Sequence, residues 1–226
     1  NVRIDAVSGE ELERNDRVSQ QAPDHAHVES NPEPACAPLP AAPNDYNVYP
    51  FPVESPSHGP RAIRNAPWVA GGIASPYGWH DTNGVIGPEY TYTRGNNVWA
   101  QEDANGNNGT GLSPTSATLD FDFPINLANA PATYQDASTT NLYYWNNLVH
   151  DVWYPYGFDE VSGNFQQNNY GRGGTGADYV LADAQDGGGT NNANFATPPD
   201  GCNPRMQMYL WTYTTPGRDG DLDNCI

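Results

Sequence analysis

The clearest amphipathic pattern in the chain predicts one long helix. Apolar side chains recur at three- and four-residue intervals over residues 138–154, namely Leu142, Trp145, Leu148, Val149 and Val152. Asp136 and Ser138 are candidate N-caps, and Pro155 and Gly157 follow as stop signals. The pattern therefore predicts a helix over about residues 138–154, with these apolar positions facing the core.

Strict alternation of apolar and polar residues predicts strands elsewhere. Residues 118–123 place Leu119, Phe121 and Phe123 on one face and two aspartates on the other. Further strands are predicted at residues 178–182 and 205–214, and glycine-rich turns at residues 171–176 and 187–189. This order of elements, mostly strands with one main helix, indicates an α+β fold with an antiparallel or mixed sheet.

The N-terminal segments have a different pattern. Residues 1–18 contain two short arms around Ser8-Gly9, which predicts a hairpin. Residues 19–44 lose all periodicity and are rich in Pro, Ala, Asn and Glu, a composition typical of a flexible, extended linker. From residue 45 to residue 226 aromatic residues return, and we predict one continuous folded unit there.

The charge of the chain disfavours two classes of partner. It has 27 acidic residues against 9 basic ones, a formal net charge of -18, and its basic residues are not clustered. Nucleic acid and anionic membrane surfaces should repel such a chain. No apolar run approaches the length of about 20 residues that a bilayer span needs.

Candidate metal ligands do not form a recognisable zinc motif. None of the five histidines belongs to an HExxH pair; they are His25, His27, His58, His80 and His150. His150 shares its predicted helix with several amides, and a structural, hydrogen-bonded role is the favoured interpretation. Asp219, Asp221 and Asp223 have a spacing that could donate oxygens to calcium, although a solvated acidic turn is the favoured alternative.

Three further features leave alternatives open. Cys202 and Cys225 could form a disulfide or remain unpaired. Asn108-Gly109-Thr110 matches the N-glycosylation sequon, which is too common to assign a modification by itself. The small, amide-rich run from Thr190 to Phe195 predicts an exposed edge strand that could bind a peptide by strand addition, the alternative being an ordinary loop.

Seven segments from residue 45 onward have distinctive sequences: Asp45–Pro52, Thr93–Ala100, Leu119–Pro124, Asn141–Asn169, Asn191–Gly201, Met206–Tyr209 and Arg218–Asp221. In sequence and in order, these segments resemble the fungalysin family of secreted zinc metallopeptidases. The hairpin at residues 1–18 is similar to the end of the inhibitory propeptide of this family and of thermolysin-like enzymes. The resemblance implies the mostly β, N-terminal lobe of a thermolysin-like zincin, with one main helix.

The resemblance also implies a function. The parent protein is expected to be a secreted, extracellular endopeptidase, made as a zymogen, that hydrolyses internal bonds of protein or peptide substrates with zinc-activated water and interacts with its own propeptide. Asn192, Ala193 and Asn194 match the stretch that hydrogen-bonds the substrate backbone in thermolysin-like enzymes.

In the family, the zinc histidines, the base glutamate and the third ligand follow Arg218–Asp221, so all are expected beyond Ile226. No catalytic or metal-binding residue is therefore assigned within the chain, and the fragment alone is expected to be inactive. The alternative is a secreted, non-catalytic, β-rich module that binds carbohydrate or protein.

Overall fold

A computed structural model describes most of the C-terminal four-fifths of the chain. The described residues are 2–4, 11–14, 45–53, 55–65 and 72–212. The chain divides into two compact units, Asn1–Leu39 and Pro40–Ile226. None of the described helices is both long enough and apolar enough to cross a membrane.

The first unit contains two short paired strands. Strand β1 (Val2–Ile4) pairs antiparallel with β2 (Glu11–Arg14), with a register shift between Arg3 and Ile4. These strands correspond to the arms of the predicted hairpin. The predicted turn between them and the predicted linker at residues 19–44 lie outside the described residues.

The described residues of the second unit form two mixed sheets, where the pattern predicted an antiparallel or a mixed sheet. In the three-stranded sheet, β3 (Asp45–Val48) lies between an antiparallel β4 (Ala62–Asn65) and a parallel β6 (Asp120–Phe121). The four-stranded sheet has the order β5-β7-β9-β8, and its strands are β5 (Val98–Glu102), β7 (Val180–Thr190), β8 (Ala193–Ala196) and β9 (Arg205–Leu210). β5, β7 and β9 are mutually parallel, and β8 runs antiparallel to β9.

Strand β6 is shorter than its alternating pattern predicted. Leu119 has a φ of 56°, which lies outside the extended region, so the strand begins at Asp120. The predicted faces are nevertheless confirmed for the residues around it. Leu119 and Phe121 are buried, whereas Asp120 and Asp122 are exposed.

Strand β7 is longer than predicted, and the prediction of a turn at residues 187–189 was wrong. The strand continues to Thr190, with register shifts between Asp183 and Asp186 and between Asp186 and Thr190. A Cβ at Gly187 would lie 2.2 Å from the carbonyl oxygen of Ala104. Glycine is therefore required there because another backbone segment packs against the strand, not because the chain turns.

Helix α1 spans Gln135–Trp153 and begins three residues before the predicted start. Its N-cap is Tyr134, so the prediction of Asp136 or Ser138 as the cap was wrong. The amide of Ser138 already donates to the carbonyl of Tyr134 at 3.0 Å, as a residue inside the helical ladder does. The predicted end is confirmed, because a short 3₁₀ turn containing Pro155 follows and Gly157 has a left-handed conformation.

The buried face of α1 also differs from the predicted one. Val149 and Val152 are 46% and 50% exposed, whereas Asn141 and Asn147 are fully buried. The buried amides have partners: Asn141 Oδ1 accepts a hydrogen bond from the Tyr49 amide at 2.9 Å. Long-range hydrogen bonds of this kind compensate the cost of burying polar side chains, so apolar spacing alone misassigns the face.

An aromatic cluster fills the space between α1 and the sheets. Tyr46 stacks on Phe121 with ring centroids 5.7 Å apart and contacts Trp79 at 5.6 Å. His80 is 3% exposed and stacks on Tyr143 of α1 at 4.9 Å. This cluster connects α1 to the three-stranded sheet and to the loop that carries Trp79 and His80.

Candidate functional site

Strand β8 forms one edge of the four-stranded sheet. It pairs only with β9 in the described sheet, with Ala193 opposite Met208 and Asn194 opposite Gln207. All four residues of β8 are exposed. The predicted edge strand therefore exists, shifted to Ala193–Ala196, because Asn191 has a φ of 56° and turns the chain.

The register of β8 determines which backbone groups face outward. The Asn192 carbonyl accepts a hydrogen bond from the Tyr209 amide at 3.3 Å. This bond makes Asn192 and Tyr209 a hydrogen-bonded pair. Hydrogen-bonded and non-hydrogen-bonded pairs alternate along antiparallel strands, so the next pair, Ala193 and Met208, is a non-hydrogen-bonded one. The amide and carbonyl groups of Ala193 and Phe195 consequently point away from β9, toward the free side of the edge.

The three residues predicted to bind substrate have different positions. Ala193 and Asn194 belong to β8, and Asn192 lies in the turn that precedes it. The Asn192 side-chain Oδ1 accepts a hydrogen bond from the Ala193 amide at 2.9 Å. An extended peptide that used this amide would have to replace that local bond.

The side chain of Asn194 is held by two residues of β9. Its Nδ2 donates to Oε1 of Gln207 at 3.1 Å and to the hydroxyl of Tyr209 at 2.6 Å. Gln207 in turn donates from Nε2 to Oδ2 of Asp186 on β7 at 2.7 Å. A continuous set of hydrogen bonds thus extends from the edge strand to the buried middle of the sheet.

The other face of β8 is apolar. Phe195 is 41% exposed, and its ring lies 5.7 Å from that of Phe165. Phe165 also contacts Phe158 with ring centroids 5.4 Å apart. On β9, Met206 and Met208 pack against the core. An extended chain paired with β8 would therefore meet an apolar surface on one side of the sheet and amides on the other.

Three buried carboxylates lie on β7 and just after β5, with β9 between them and the edge strand. Among the described residues, the one group of acidic or histidine side chains with ligand atoms within 4.8 Å of one another consists of Asp103, Asp183 and Asp186. Sequence reasoning did not single out this group, because β7 was predicted to end before it. Pairing of β5 and β7 could have placed Asp103 and Asp183 together, but the register was not predictable from the sequence.

Protein donors already contact each of these carboxylates. Asp103 accepts from the amides of Asn107 and Asn108 at 3.2 and 2.8 Å, and Asp186 accepts from the Gly188 amide at 2.6 Å. Asp183 forms an ion pair with Arg205 and accepts from Gln101 Nε2 at 2.9 Å. Burial raises the pKa of the Asp183 carboxyl, and these two partners oppose that rise.

The described histidines do not fit a zinc site. His150 contacts Asp151 Oδ1 at 2.9 Å and Gln166 Oε1 at 3.0 Å, in agreement with a structural role. His80 is bonded to Tyr46 and to the Arg94 carbonyl, and the exposed His58 lies against Ser55. These three histidines contact different partners and do not belong to the acidic group. A three-ligand zinc site needs converging side chains, so the described residues hold no such centre.

Two predicted features fall on residues that the structure does not describe. Cys202 is exposed and free among the described residues, whereas its candidate partner Cys225 lies outside them. The candidate calcium residues Asp219, Asp221 and Asp223 also lie outside them. Disulfide formation and calcium binding therefore stay predictions.

Comparison with known proteins identifies the family. The model of the fungalysin metallopeptidases (M36) matches residues 45–226. An extracellular metalloproteinase 2 of Trichophyton tonsurans is 45% identical over 181 residues, which are 79% of this chain and 28% of that protein. The extracellular metalloproteinase mep of Aspergillus fumigatus is 43% identical over 182 residues, with the same two coverages.

These relatives do not favour the alternative of a non-catalytic binding module, because both are named as metalloproteinases. The chain spans a little over a quarter of their length, 28% in each case. The family match agrees with the resemblance of the motifs and with the α+β architecture of the described residues. The chain belongs to the fungalysin (M36) family of metallopeptidases.

Proposed function

We propose that this chain forms the substrate-side part of a secreted zinc metalloendopeptidase, and that β8 binds the substrate backbone. The observation that carries this proposal is the exposed edge strand at Ala193–Ala196, with outward backbone groups, inside the region matched by the family model. The extracellular location expected from the sequence agrees with the names of the relatives. Protein or peptide substrates follow from the protease family.

Strand addition suits an enzyme that cuts internal peptide bonds. An extended peptide would accept and donate main-chain hydrogen bonds along β8, and such bonds do not depend on the peptide sequence. Ala193 and Phe195 would supply the backbone groups. Asn192, just before the strand, and Asn194, within it, would supply amide side chains. The edge thus positions a substrate and leaves the chemistry to other residues.

The remaining parts of the proposal come from the family resemblance. Residues 1–18 would be the end of the propeptide, residues 19–44 a cleavable linker, and residues 45–226 the N-terminal part of a thermolysin-like peptidase unit. Family metallopeptidases require a metal, and we propose zinc, with ligands in chain beyond Ile226. The 226-residue chain alone would then lack peptidase activity, and a chelator-sensitive activity of the pure chain would contradict this.

A proline substitution tests the role of β8 in the full-length protein. Phe195→Pro removes an outward amide without removing a hydrogen bond to β9, because proline is compatible with a free strand edge. Phe195→Leu, the matched control, keeps that amide. We expect the proline variant to raise KM for an internal-cleavage peptide about fivefold relative to Phe195→Leu, the effect of about 1 kcal/mol for one lost hydrogen bond. Equal KM values for two folded variants would contradict substrate binding along β8.

A further inference from the structure

One short motif of the sequence lies on an exposed loop of the structure. The sequence contains a single Asn-x-Ser/Thr sequon, at Asn108-Gly109-Thr110. All three residues are exposed, on the loop between β5 and the following bridge residue Thr115. An N-glycan needs an acceptor on the surface of a secreted protein, so the position satisfies the first requirement of the modification.

The side chain of Asn108 is oriented by one hydrogen bond. Its Oδ1 accepts from Nε2 of Gln207 at 2.9 Å, and among the described residues no group accepts from its Nδ2. The carbonyl oxygen is therefore used by the protein, whereas the nitrogen that would carry the sugar remains available. A glycosylated asparagine keeps its carbonyl oxygen, so the bond to Gln207 is compatible with the modification.

The loop backbone holds Asn108 in place. The Asn108 amide donates to Oδ2 of the buried Asp103 at 2.8 Å, and the Gly109 carbonyl accepts from Gln101 Nε2 at 3.0 Å. Asn108 itself has a φ of 56°, a left-handed conformation that asparagine tolerates better than most residues. The left-handed backbone conformation alone would explain an asparagine at position 108. It does not explain the exposed Thr110, whose side chain makes no hydrogen bond within the described part of the chain.

We infer that Asn108 carries an N-linked oligosaccharide in the secreted protein. The donor would be an oligosaccharide linked to a lipid diphosphate, the chemical class used in the secretory pathway. Nδ2 of Asn108 forms a bond to C1 of the first sugar, and the bond from that carbon to the lipid diphosphate breaks. The proton lost from Nδ2 leaves with the diphosphate, so the transfer needs no oxidant or reductant.

The position also predicts where the sugar lies. Gln207 bonds Asn108 through Nε2 and Asn194 through Oε1, so one side chain separates the acceptor from the edge strand. Successive side chains of β9 alternate between faces, and Met206 and Met208 pack against the core. The oligosaccharide therefore extends from the face of the sheet opposite the core, beside the amides of β8.

The test is a peptide map of the full-length protein, recovered from the medium of a fungal secretion host. We expect a peptide-N-glycosidase to increase its electrophoretic mobility and to convert Asn108, and none of the other asparagines of this chain, to Asp with incorporation of heavy oxygen from labelled water. Thr110→Ala should abolish this conversion of Asn108, and Thr110→Ser, the matched control, should retain it. Thr110→Ala keeps the Asn108 side chain and its bond to Gln207.

If a variant is not secreted, the peptide map of the secreted wild-type protein still tests whether Asn108 is glycosylated. Peptides containing only unmodified Asn108, or a modified Asn108 in Thr110→Ala, would overturn the inference. Neither measurement uses peptidase activity, so the result is independent of whether β8 binds substrate.

Discussion

Asn194 of β8 donates a hydrogen bond from Nδ2 to Oε1 of Gln207 on β9, over 3.1 Å. Gln207 uses its Nε2 at the same time for the buried Asp186, at 2.7 Å. One amide therefore joins the exposed edge to the interior of the sheet. Because both ends of Gln207 are engaged, its orientation fixes that of the Asn194 side chain.

This relationship predicts that Gln207 positions the edge strand for substrate. Gln207→Leu has a similar size but cannot bond Asn194 or Asp186. In the full-length protein we expect KM for a peptide substrate to rise about fivefold, because the bond that orients Asn194 is worth about 1 kcal/mol, while kcat changes little. Steady-state kinetics separate the two constants.

A matched control for Gln207→Leu is Tyr209→Phe, which removes the second partner of Asn194 and the longer bond, 3.3 Å, from the Tyr209 hydroxyl to Oε1 of Gln207. We expect it to raise KM less than Gln207→Leu does, because Gln207 still holds the amide. A fall in kcat with unchanged KM in Gln207→Leu would show that Gln207 does not act through substrate binding. The urea midpoint of each variant shows whether a lower stability accounts for the effect.

A second prediction concerns acid stability and His80. The Arg94 carbonyl can only accept, so Nδ1 of His80 donates to it at 3.0 Å, and Nε2 accepts from the Tyr46 hydroxyl at 2.8 Å. The neutral imidazole satisfies both bonds, and burial lowers the pKa of His80 from 6.5 to about 4. A lowered histidine pKa means that the unfolded chain binds the proton more tightly than the folded protein.

The contribution of His80 to stability is therefore complete above pH 6.5 and is lost as the pH falls through 6.5 toward about 4. The full difference corresponds to about 3 kcal/mol. His80→Phe keeps a ring for stacking but cannot titrate. We expect this variant to be less stable at pH 7, and its free energy of unfolding to change less between pH 7 and pH 4 than that of the wild type.

Urea unfolding of the full-length protein at a series of pH values measures this difference. Raised carboxyl pKa values at Asp136, Asp178 and Asp183 act in the opposite direction, so the comparison between variant and wild type isolates His80. His58→Phe, at an exposed histidine, serves as the control and should retain the wild-type pH dependence. Parallel pH profiles for His80→Phe and the wild type would disprove the assignment.

Local sequence signals predicted α1 and the edge strand, because both depend on near neighbours in the chain. Helical spacing and stop signals located α1 to within three residues, and the small amide run located β8. The buried face of α1 was not predictable in the same way. Asn147 is buried because Asn97, 50 residues away, donates to its Oδ1 at 3.1 Å.

The same limit applies to the surroundings of β8. Gln207 meets Asp186 through a register that includes two irregularities along β7, and no local pattern specifies them. The glycines at residues 187–189 indicated a turn from composition alone, and the packing of a second backbone segment explains why the strand has a glycine at position 187. Predictions that depend on cross-strand register therefore need the tertiary structure.

The third prediction concerns the ion pair between Arg205 and Asp183. Asp183 is fully buried in the middle of the sheet, and Arg205 reaches it from β9. Removing one partner of a buried pair leaves an uncompensated charge, which typically costs more than the pair contributes. We expect Arg205→Met to lower the free energy of unfolding of the full-length protein by about 3 kcal/mol and to raise the pKa of Asp183 further above its ordinary range.

Asp183→Asn in the same protein should restore part of this loss. The new amide has no charge to bury, and its oxygen can still accept the hydrogen bond that Gln101 Nε2 donates at 2.9 Å. A double-mutant cycle from urea unfolding at pH 7 then gives the coupling energy between the two side chains. If the double variant is as unstable as the sum of the single variants, the two residues are not coupled, and the buried charge is compensated by the amides around it instead.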